Sequence, residues 1–346
     1  MSIRNALLAL TLGFCVSGGA FADTLALKAD HPKSYVVVKG DTLWDISTKF
    51  LRDPWRWPEI WHNNPEIRNP HLIYPGDIVN LVYVDGKPVL QVQRGRRTVK
   101  LSPKTRATHL TSAIPTVPSN AISQFLLQPR ILTEEQIKRA GYIASAEEEH
   151  LISGVGGKIY VMNLAQDGNK GFSVYRISKA YRDPADNDNI LGYEAIHASD
   201  ATLTQEGNPA TLRITKSYRE TLLGDKVFIA DEEEINQSFQ PHAPENKVDG
   251  QILSFIDGMS RAGQYQTVVI NLGKEQGIEV GNVLAVRQSG ITIVDEQSSG
   301  VFKKHITLPD ERAGLLMVVR AFDRISYALV MSAIKDIRVN DPVGNP

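Results

Sequence analysis

The chain has only one cysteine, Cys15, among its 346 residues. Cys15 lies within an N-terminal segment that is predicted below to be removed, so the remaining chain would have no disulfide and no thiol nucleophile. A protein of this kind depends on ordinary hydrophobic cores. The length permits several of them, because a typical domain has about 100–150 residues. We therefore expect several domains.

The chain also lacks an excess of charge of either sign. Its 38 lysines and arginines are balanced by 39 aspartates and glutamates, which gives a formal net charge of −1. Proteins that bind nucleic acid through a globally basic surface are therefore excluded. We predict no nucleic-acid partner.

Recognisable catalytic and metal-binding motifs are lacking as well. The segment 258–263 misses the Gly-x-Ser-x-Gly spacing by one residue, so Ser260 is interpreted as a turn serine. Residues 154–158 resemble a phosphate loop only superficially, because Ile159 stands where Ser or Thr is required. The eight histidines form no His-x-His or His-Glu-x-x-His pair. We predict no catalytic residue, no metal and no cofactor, and hence a protein that is not an enzyme.

One segment, residues 183–194, has the length of a calcium-binding loop and ends in Glu194. However, Ala185 occupies a ligand position, and Asp188 replaces the glycine of the turn. The flanking sequences are typical of strands rather than helices. A polar loop between strands is therefore favoured over a calcium site.

The first 22 residues have the pattern of a secretory signal peptide. Arg4 precedes an apolar stretch at residues 6–16, and the small-x-small sequence 20–22 precedes Asp23. A transmembrane anchor is the alternative, but the apolar stretch is shorter than the ~20 residues that a spanning helix needs. Phe14 is too bulky for the position before a lipoprotein cysteine. We expect cleavage before Asp23 and export.

Residues 34–84 are predicted to form a strand, two helices and a second strand. Tyr35 to Val38, rich in β-branched residues, is the first strand; Asp41 or Thr42 can cap a helix, and that helix would present Leu43, Ile46 and Phe50. A second helix is expected to begin near Pro58 and to present Ile60 and Trp61. The last strand is expected at residues 78–84. Strands at opposite ends of the module can pair antiparallel.

The residues that carry a family resemblance are Tyr-Val-Val-Val-Lys-Gly-Asp-Thr-Leu-Trp-Asp-Ile-Ser at 35–47 and Asn-Pro-His-Leu-Ile-Tyr-Pro-Gly-Asp-Ile-Val at 69–79. This pattern resembles a LysM module, a family that binds glycans containing N-acetylglucosamine. The resemblance implies a shallow groove between two loops as the glycan-binding site. The groove residues it implies are Gly40, Asp41, Thr42, Leu43, Asn69, Pro70, His71, Leu72, Ile73 and Tyr74. The alternative is that both loops serve folding alone.

Three of the four tryptophans lie close together in the sequence 53–61. Aromatic faces can stack on sugars, which would give a second glycan surface. A small module also needs large side chains to fill its core. We favour the core for Trp57 and Trp61, and predict that Trp55 is the exposed ring.

Beyond the module, residues 85–150 are predicted to form a basic linker with a short helical element. Seven cations and no acid occur between residues 87 and 106, which favours either a solvated linker or attraction to an anionic surface. A helix is predicted at 121–127, and Thr133 to Gln136 matches a capping box.

Two β-rich domains are predicted at 151–231 and 250–346, each containing Gly-Asp or similar turns that lead into apolar strands. The predicted fold class is a multidomain α+β protein with an N-terminal βααβ LysM module and β-rich domains of small-barrel or sandwich character.

The order of these parts resembles the type IV pilus secretin-associated protein family. The resemblance is carried by the LysM pattern, the Trp-x-Trp-Pro-x-Ile-Trp insertion at 55–61, the segments 99–103, 121–126 and 141–144, and the repeated β region. It implies a periplasmic protein that binds peptidoglycan and stabilises the outer-membrane secretin, with a homo-oligomeric ring around the secretin as one arrangement. It also implies a C-terminal region similar to that of flagellar protein T. Two alternatives remain open: an accessory or regulator of a cell-wall hydrolase, and a general wall-binding scaffold for another envelope complex.

Overall fold

The computed structural model describes residues 25–61, 73–94, 115–118, 130–147, 152–165, 168–230, 239–256, 261–288, 290, 292–295 and 304–346. The predicted signal peptide at 1–22 and the helix predicted at 121–127 lie outside these ranges. Within them, a small N-terminal module is followed by a β-rich region with few helices. The predicted fold class is therefore confirmed.

The N-terminal module has the predicted βααβ order and one further strand. Its elements are β1 (Ser34–Val36), α1 (Leu43–Phe50), a 3-10 turn (Pro54–Arg56), α2 (Trp57–Trp61), β2 (Ile78–Val84) and β3 (Lys87–Gln93). The strands form an antiparallel sheet in the order β1-β2-β3. The strand β3 was not predicted, and it lies in the stretch interpreted as a basic linker. Asp85 and Gly86 have φ values of 49° and 75°, as a tight hairpin turn of the Asp-Gly type requires.

The module has a core of its own, formed between the two helices and the sheet. Leu43, Ile46 and Phe50 on α1 are buried, which confirms the predicted face of this helix. Thr42 caps α1 and forms a reciprocal capping box with Asp45. A module of this size gains most of its stability from such large buried side chains.

The second region is a seven-stranded antiparallel sheet. Its strands are β4 (Arg130–Leu132), β5 (Gly141–Ala146), β7 (Lys158–Met162), β8 (Gly171–Arg182), β9 (Ile190–Gln205), β10 (Ala210–Ser217) and β12 (Lys226–Ile229). They are arranged in the order β10-β7-β5-β12-β8-β9-β4. Because β10 also pairs with β9, six of these strands form a continuous ring of pairings. Two short strands, β6 (Ile152–Ser153) and β11 (Thr221–Leu222), pair separately.

The helix α3 (Glu134–Arg139) lies between β4 and β5 and begins with the capping box predicted for Thr133 and Gln136. Both neighbouring strands belong to the seven-stranded sheet, although they lie in the stretch 85–150 that was interpreted as a linker with a short helix. The division of the chain at 150, 231 and 250 stays a proposal.

The third region is a closed barrel. Its strands are β13 (Asp249–Phe255), β15 (Thr267–Ile270), β16 (Val283–Gln288), β19 (Glu311–Ala321), β20 (Ser326–Ala333) and β22 (Pro342–Gly344), paired in the order β13-β15-β20-β19-β16-β22. Two short pairs accompany it: β14 (Arg261–Ala262) with β21 (Ile337–Arg338), and β17 (Thr292–Asp295) with β18 (Lys304–Thr307). Apolar side chains from all six barrel strands form one core cluster, so the barrel is filled rather than hollow.

Five of the described turns share one local design, and it follows directly from the sequence. In each, a residue with positive φ precedes an Asp or Asn, and the side-chain oxygen of that Asp or Asn accepts the N–H three positions earlier. The positive-φ residues are Gly40, Gly76, Gly224, Gly281 and Asn340. The side-chain bonds join Val38 with Asp41, Tyr74 with Asp77, Leu222 with Asp225, Glu279 with Asn282, and Arg338 with Asp341, at 2.8–3.0 Å. Positive φ at the third position is the requirement of a type II turn, which glycine meets without steric cost.

A second core cluster covers the outer face of the barrel and joins it to the other regions. Trp44 from α1 and Val117 belong to this cluster, as do Ile131, Tyr181 and Leu191 from the seven-stranded sheet. The barrel contributes the residues that alternate with its interior side chains, among them Leu315, Met317, Val319, Tyr327 and Leu329. Successive residues of a strand point to opposite faces. The barrel strands β19 and β20 are therefore buried on both faces.

Candidate functional site

The first wall of the predicted groove is the loop between β1 and α1. The Asp41 carboxylate accepts hydrogen bonds from the Val38 N–H at 2.9 Å and from the Tyr35 hydroxyl at 3.0 Å. Burial, together with the nearby Asp41 and Asp45 carboxylates, raises the pKa of Tyr35, so its hydroxyl stays a donor. Asp41 therefore has a structural role, because it holds the loop that carries Gly40 in one conformation.

The same wall continues into the first turn of α1. Gly40 is exposed and Asp41 is partly buried, whereas Thr42 and Leu43 are each only 1% exposed. Thr42 acts as the helix cap, and Leu43 packs into the core of the module. Their side chains are therefore committed to folding, and any ligand contact at these two positions has to involve the backbone.

The second wall is described only in part. Ile73 is fully buried, and Tyr74 is partly exposed beside the turn that leads into β2. Asn69, Pro70, His71 and Leu72 lie outside the described residues. Two backbone bonds tie the walls together: Gly76 N–H donates to Val37 O at 2.8 Å, and Val37 N–H donates to Asp77 O at 2.9 Å. These bonds join the end of β1 to the turn that precedes β2. The residues Gly40–Leu43 follow β1 in the chain, and Ile73 and Tyr74 precede β2.

Residues 115–118 lie against the first turn of α1, a contact that sequence analysis missed. The Leu43 N–H donates to Pro115 O at 3.0 Å, and the Trp44 N–H donates to Thr116 O at 3.4 Å. The first N–H groups of a helix have no partner inside the helix, so they are available for such contacts. No periodic pattern in the sequence indicates a pairing between positions more than 70 residues apart.

The tryptophan predictions had a mixed outcome. Trp57 and Trp61 are buried in the core of the module, as predicted. Trp55 is the most exposed of the three rings, as predicted, but only partly: its indole nitrogen is buried, and it packs against the cluster on the outer face of the barrel. It lies on the 3-10 turn that faces the barrel, which is why it is covered.

Among the described residues of the β-rich region, His197, Asp200 and Ser173 form a cluster of catalytic residue types, and its geometry is structural. His197 Nε2 lies 2.8 Å from Asp200 Oδ1, and the Ser173 hydroxyl donates to the same oxygen at 2.9 Å. The carboxylate therefore lies between the imidazole and the hydroxyl. In a nucleophilic triad the imidazole would lie between the other two groups. This cluster cannot activate Ser173.

The candidate calcium loop is a turn between β8 and β9 in the structure. Asp183 Oδ1 accepts the Ala185 N–H at 3.0 Å, and Arg324 donates to Asn189 Oδ1 at 3.1 Å. Within the described ranges, no group of three or more His, Cys, Asp or Glu side chains is arranged to hold a metal ion. Nor does the described part of the chain contain a helix with the length and hydropathy needed to cross a membrane.

Comparison with known proteins identifies the N-terminal module. The LysM domain family matches residues 35–81. The protein YqbP of Bacillus subtilis (strain 168), described as uncharacterized, is 46% identical over 55 residues, which cover 13% of this chain and 25% of YqbP. The similarity thus spans about a quarter of that relative.

The chain therefore contains a LysM domain. LysM domains bind glycans containing N-acetylglucosamine, such as peptidoglycan, and they are binding modules rather than catalytic ones. Such a domain is typical of proteins associated with the cell wall. The match extends over the two groove walls described above and does not reach the β-rich region.

Proposed function

We propose that the protein binds the N-acetylglucosamine-containing glycan of peptidoglycan through its N-terminal module, without catalysing a reaction. The observation that carries this proposal is the LysM domain at residues 35–81, whose described strands and helices have the βααβ order. The proposed contacts are at Gly40, Asp41, Thr42 and Leu43 on one wall, and at positions 69–74 on the other.

The chemistry of the first wall suits a neutral amide ligand. Its only acid, Asp41, already accepts two hydrogen bonds, and the side chains of Thr42 and Leu43 are buried. The proposed partner of an acetamido carbonyl is therefore a backbone N–H group, foremost that of Leu43, which donates to Pro115 O in the structure. Binding of this kind depends on a backbone that is ordered in advance, because ordering a loop on binding lowers the affinity.

Replacing Asp41 with alanine should weaken binding to peptidoglycan. The Val38 N–H and the Tyr35 hydroxyl would lose their shared acceptor, and the loop would be less ordered before binding. We expect about a tenfold loss of affinity, since a hydrogen bond to a charged group contributes about 1.5–3 kcal/mol and 1.4 kcal/mol corresponds to a factor of ten. Sedimentation of the full chain with isolated peptidoglycan sacculi over a range of sacculus concentrations measures this.

The matched control is Asp41→Asn, whose amide oxygen can still accept from Val38 and Tyr35. It should bind nearly as well as the wild type. Equal sedimentation of wild type and Asp41→Ala would show that the order of this loop does not matter for binding. Failure of the wild type itself to sediment would refute the proposed function.

We further propose that the exported protein acts in the periplasm and anchors the outer-membrane secretin of type IV pili to the wall. This finer role is supported only by the resemblance of the whole chain to the secretin-associated family, including the similarity to flagellar protein T. Many copies in a ring would add their wall contacts by avidity, even if each module binds weakly. If the role is correct, secretin should co-purify with the full-length protein from detergent-solubilised envelopes.

Two alternatives make different predictions in the same preparations. An accessory of a wall hydrolase should increase the release of soluble muropeptides from sacculi when the hydrolase is present. A general scaffold should retain another envelope complex and no secretin. Recovery of the protein without secretin, under conditions that keep other secretin complexes intact, would contradict the tether.

A further inference from the structure

We propose that residues 115–118, called the strap below, cover part of the glycan groove in the resting protein, and that full glycan binding requires the strap to leave. The inference rests on the proposed function, because it concerns the regulation of the same groove. Two observations support it: the strap is hydrogen-bonded to the first turn of α1, and its residues Thr116 and Val117 are buried.

The strap occupies two backbone donors, one in the first wall of the groove at Leu43 and one beside it at Trp44. Its carbonyl groups at Pro115 and Thr116 accept the N–H groups of Leu43 and Trp44, at 3.0 and 3.4 Å. Each carbonyl belongs to a backbone amide, the same chemical group that an N-acetyl substituent carries. A sugar acetamido group and the strap would therefore compete for the same backbone N–H groups.

The strap is packed in place as well as hydrogen-bonded. Thr116 is 1% exposed and Val117 is fully buried. Val117 belongs to the cluster on the outer face of the barrel, where Trp44 is also found. The anchor of the strap therefore lies outside the core of the module, so the strap can be loosened without changing any residue of the module.

Two of the described groove positions, Gly40 and Tyr74, are at least partly exposed. Gly40 is exposed and Tyr74 is partly exposed, whereas Thr42 and Leu43 are buried. A glycan can make its first contacts at Gly40 and Tyr74 and then displace the strap. The measured affinity is then the intrinsic affinity reduced by the fraction of molecules with an open strap.

This arrangement couples glycan binding to the barrel. Because Val117 belongs to the same cluster as barrel residues such as Met317 and Tyr327, a partner that alters this face of the barrel changes the open fraction. By linkage, glycan binding must alter the affinity for that partner by the same factor.

The test uses the full chain with Val117→Ser, which weakens the apolar anchor and leaves both groove walls unchanged. We expect binding of tetra-N-acetylchitotetraose, measured by isothermal titration calorimetry, to become about ten times tighter than in the wild type, as the open fraction rises. Hydrogen exchange of the Leu43 and Trp44 amides should also become faster in the free protein. Val248→Ser is the matched control, since Val248 is buried in the interior cluster of the barrel; it should change neither the affinity nor these two amides.

A second variant tests the same proposal in case Val117→Ser does not fold. Replacing residues 115–118 with Gly-Ser-Gly-Ser keeps the chain length and removes the anchor altogether, and it should bind at least as tightly as Val117→Ser. If both variants fold but bind the glycan no more tightly than the wild type does, the proposal that the strap covers the groove is refuted, while the proposed function stands. Absence of binding in the wild type and in both strap variants would instead refute the proposed function, and the strap with it.

Discussion

Trp44→Ala is expected to lower the free energy of unfolding by about 4 kcal/mol, because replacing a buried tryptophan with alanine typically costs about 3–5 kcal/mol. Trp44 is 1% exposed, yet it belongs to the cluster shared with the barrel rather than to the core of its own module. Its loss should therefore separate the module from the barrel and leave the module folded. Urea unfolding measures the first effect, and small-angle X-ray scattering measures the separation as an increase in the radius of gyration.

Two polar contacts between the module and the barrel would be weakened together with Trp44. The Tyr265 hydroxyl donates to Asp45 Oδ1 at 3.2 Å, and Arg312 Nη1 lies 3.5 Å from Asp53 Oδ1. Burial, together with the negative charge of Asp45, raises the pKa of Tyr265 to about 12, so this donor keeps its proton at neutral pH. The Arg312 pair is exposed and contributes little, as is usual for surface ion pairs.

Phe50→Ala is the matched control for this experiment. Phe50 is fully buried on the same helix, but it lies in the core of the module. It should destabilise the module itself and reduce binding to sacculi, whereas Trp44→Ala should retain binding or increase it through a looser strap. Unchanged compactness of Trp44→Ala would contradict the role assigned to this side chain.

Gly281→Ala should produce the second large effect, a loss of about 3 kcal/mol in the free energy of unfolding of the barrel. A non-glycine residue in the left-handed region costs about 1–2 kcal/mol, and overpacking typically adds about 1–3 kcal/mol. Gly281 has φ of 98°, and an added Cβ would lie 2.4 Å from the backbone oxygen of Gln240. The segment around Gln240 is held there by the bond from the His242 N–H to Gly281 O at 3.1 Å, so it cannot easily move away.

The same type of turn supplies a control without the steric overlap. Gly224 has φ of 85°, but an added Cβ there would meet no atom within 4 Å. Gly224→Ala should therefore cost only the strain of the backbone, about 1–2 kcal/mol. Chemical denaturation of both variants, followed by circular dichroism, gives the comparison. Equal losses for the two variants would mean that the contact with Gln240 is easily relieved.

Much of the module could be predicted from the sequence because its signals are local. Thr42 and Asp45 stand three positions apart and form the capping box, and the residues spaced along α1 face the core as their periodicity predicts. The Gly-Asp and Gly-Asn turns were also visible, since a left-handed residue followed by a short acceptor side chain specifies this turn without help from the rest of the fold. The groove residues themselves came from a family resemblance, and their contacts with glycan stay a prediction.

The elements that were missed depend on non-local contacts or on a misleading composition. The strand β3 was hidden by the basic residues around it, although Asp85 and Gly86 form a typical hairpin turn. The covering of Trp55 and the position of the strap depend on the barrel, which is distant in the sequence. One available signal was the run from Leu315 to Val319: a continuous apolar strand in an antiparallel sheet indicates that both of its faces are buried.

The Trp44 contact also determines how the protein would carry mechanical load. A pull on glycan bound to the module reaches the barrel first through non-covalent packing around Trp44 and Val117. If that packing yields, the pull reaches the barrel only through the covalent chain. The packed interface would thus give way before the folded domains, and bound glycan and the barrel could move apart while the chain stays intact.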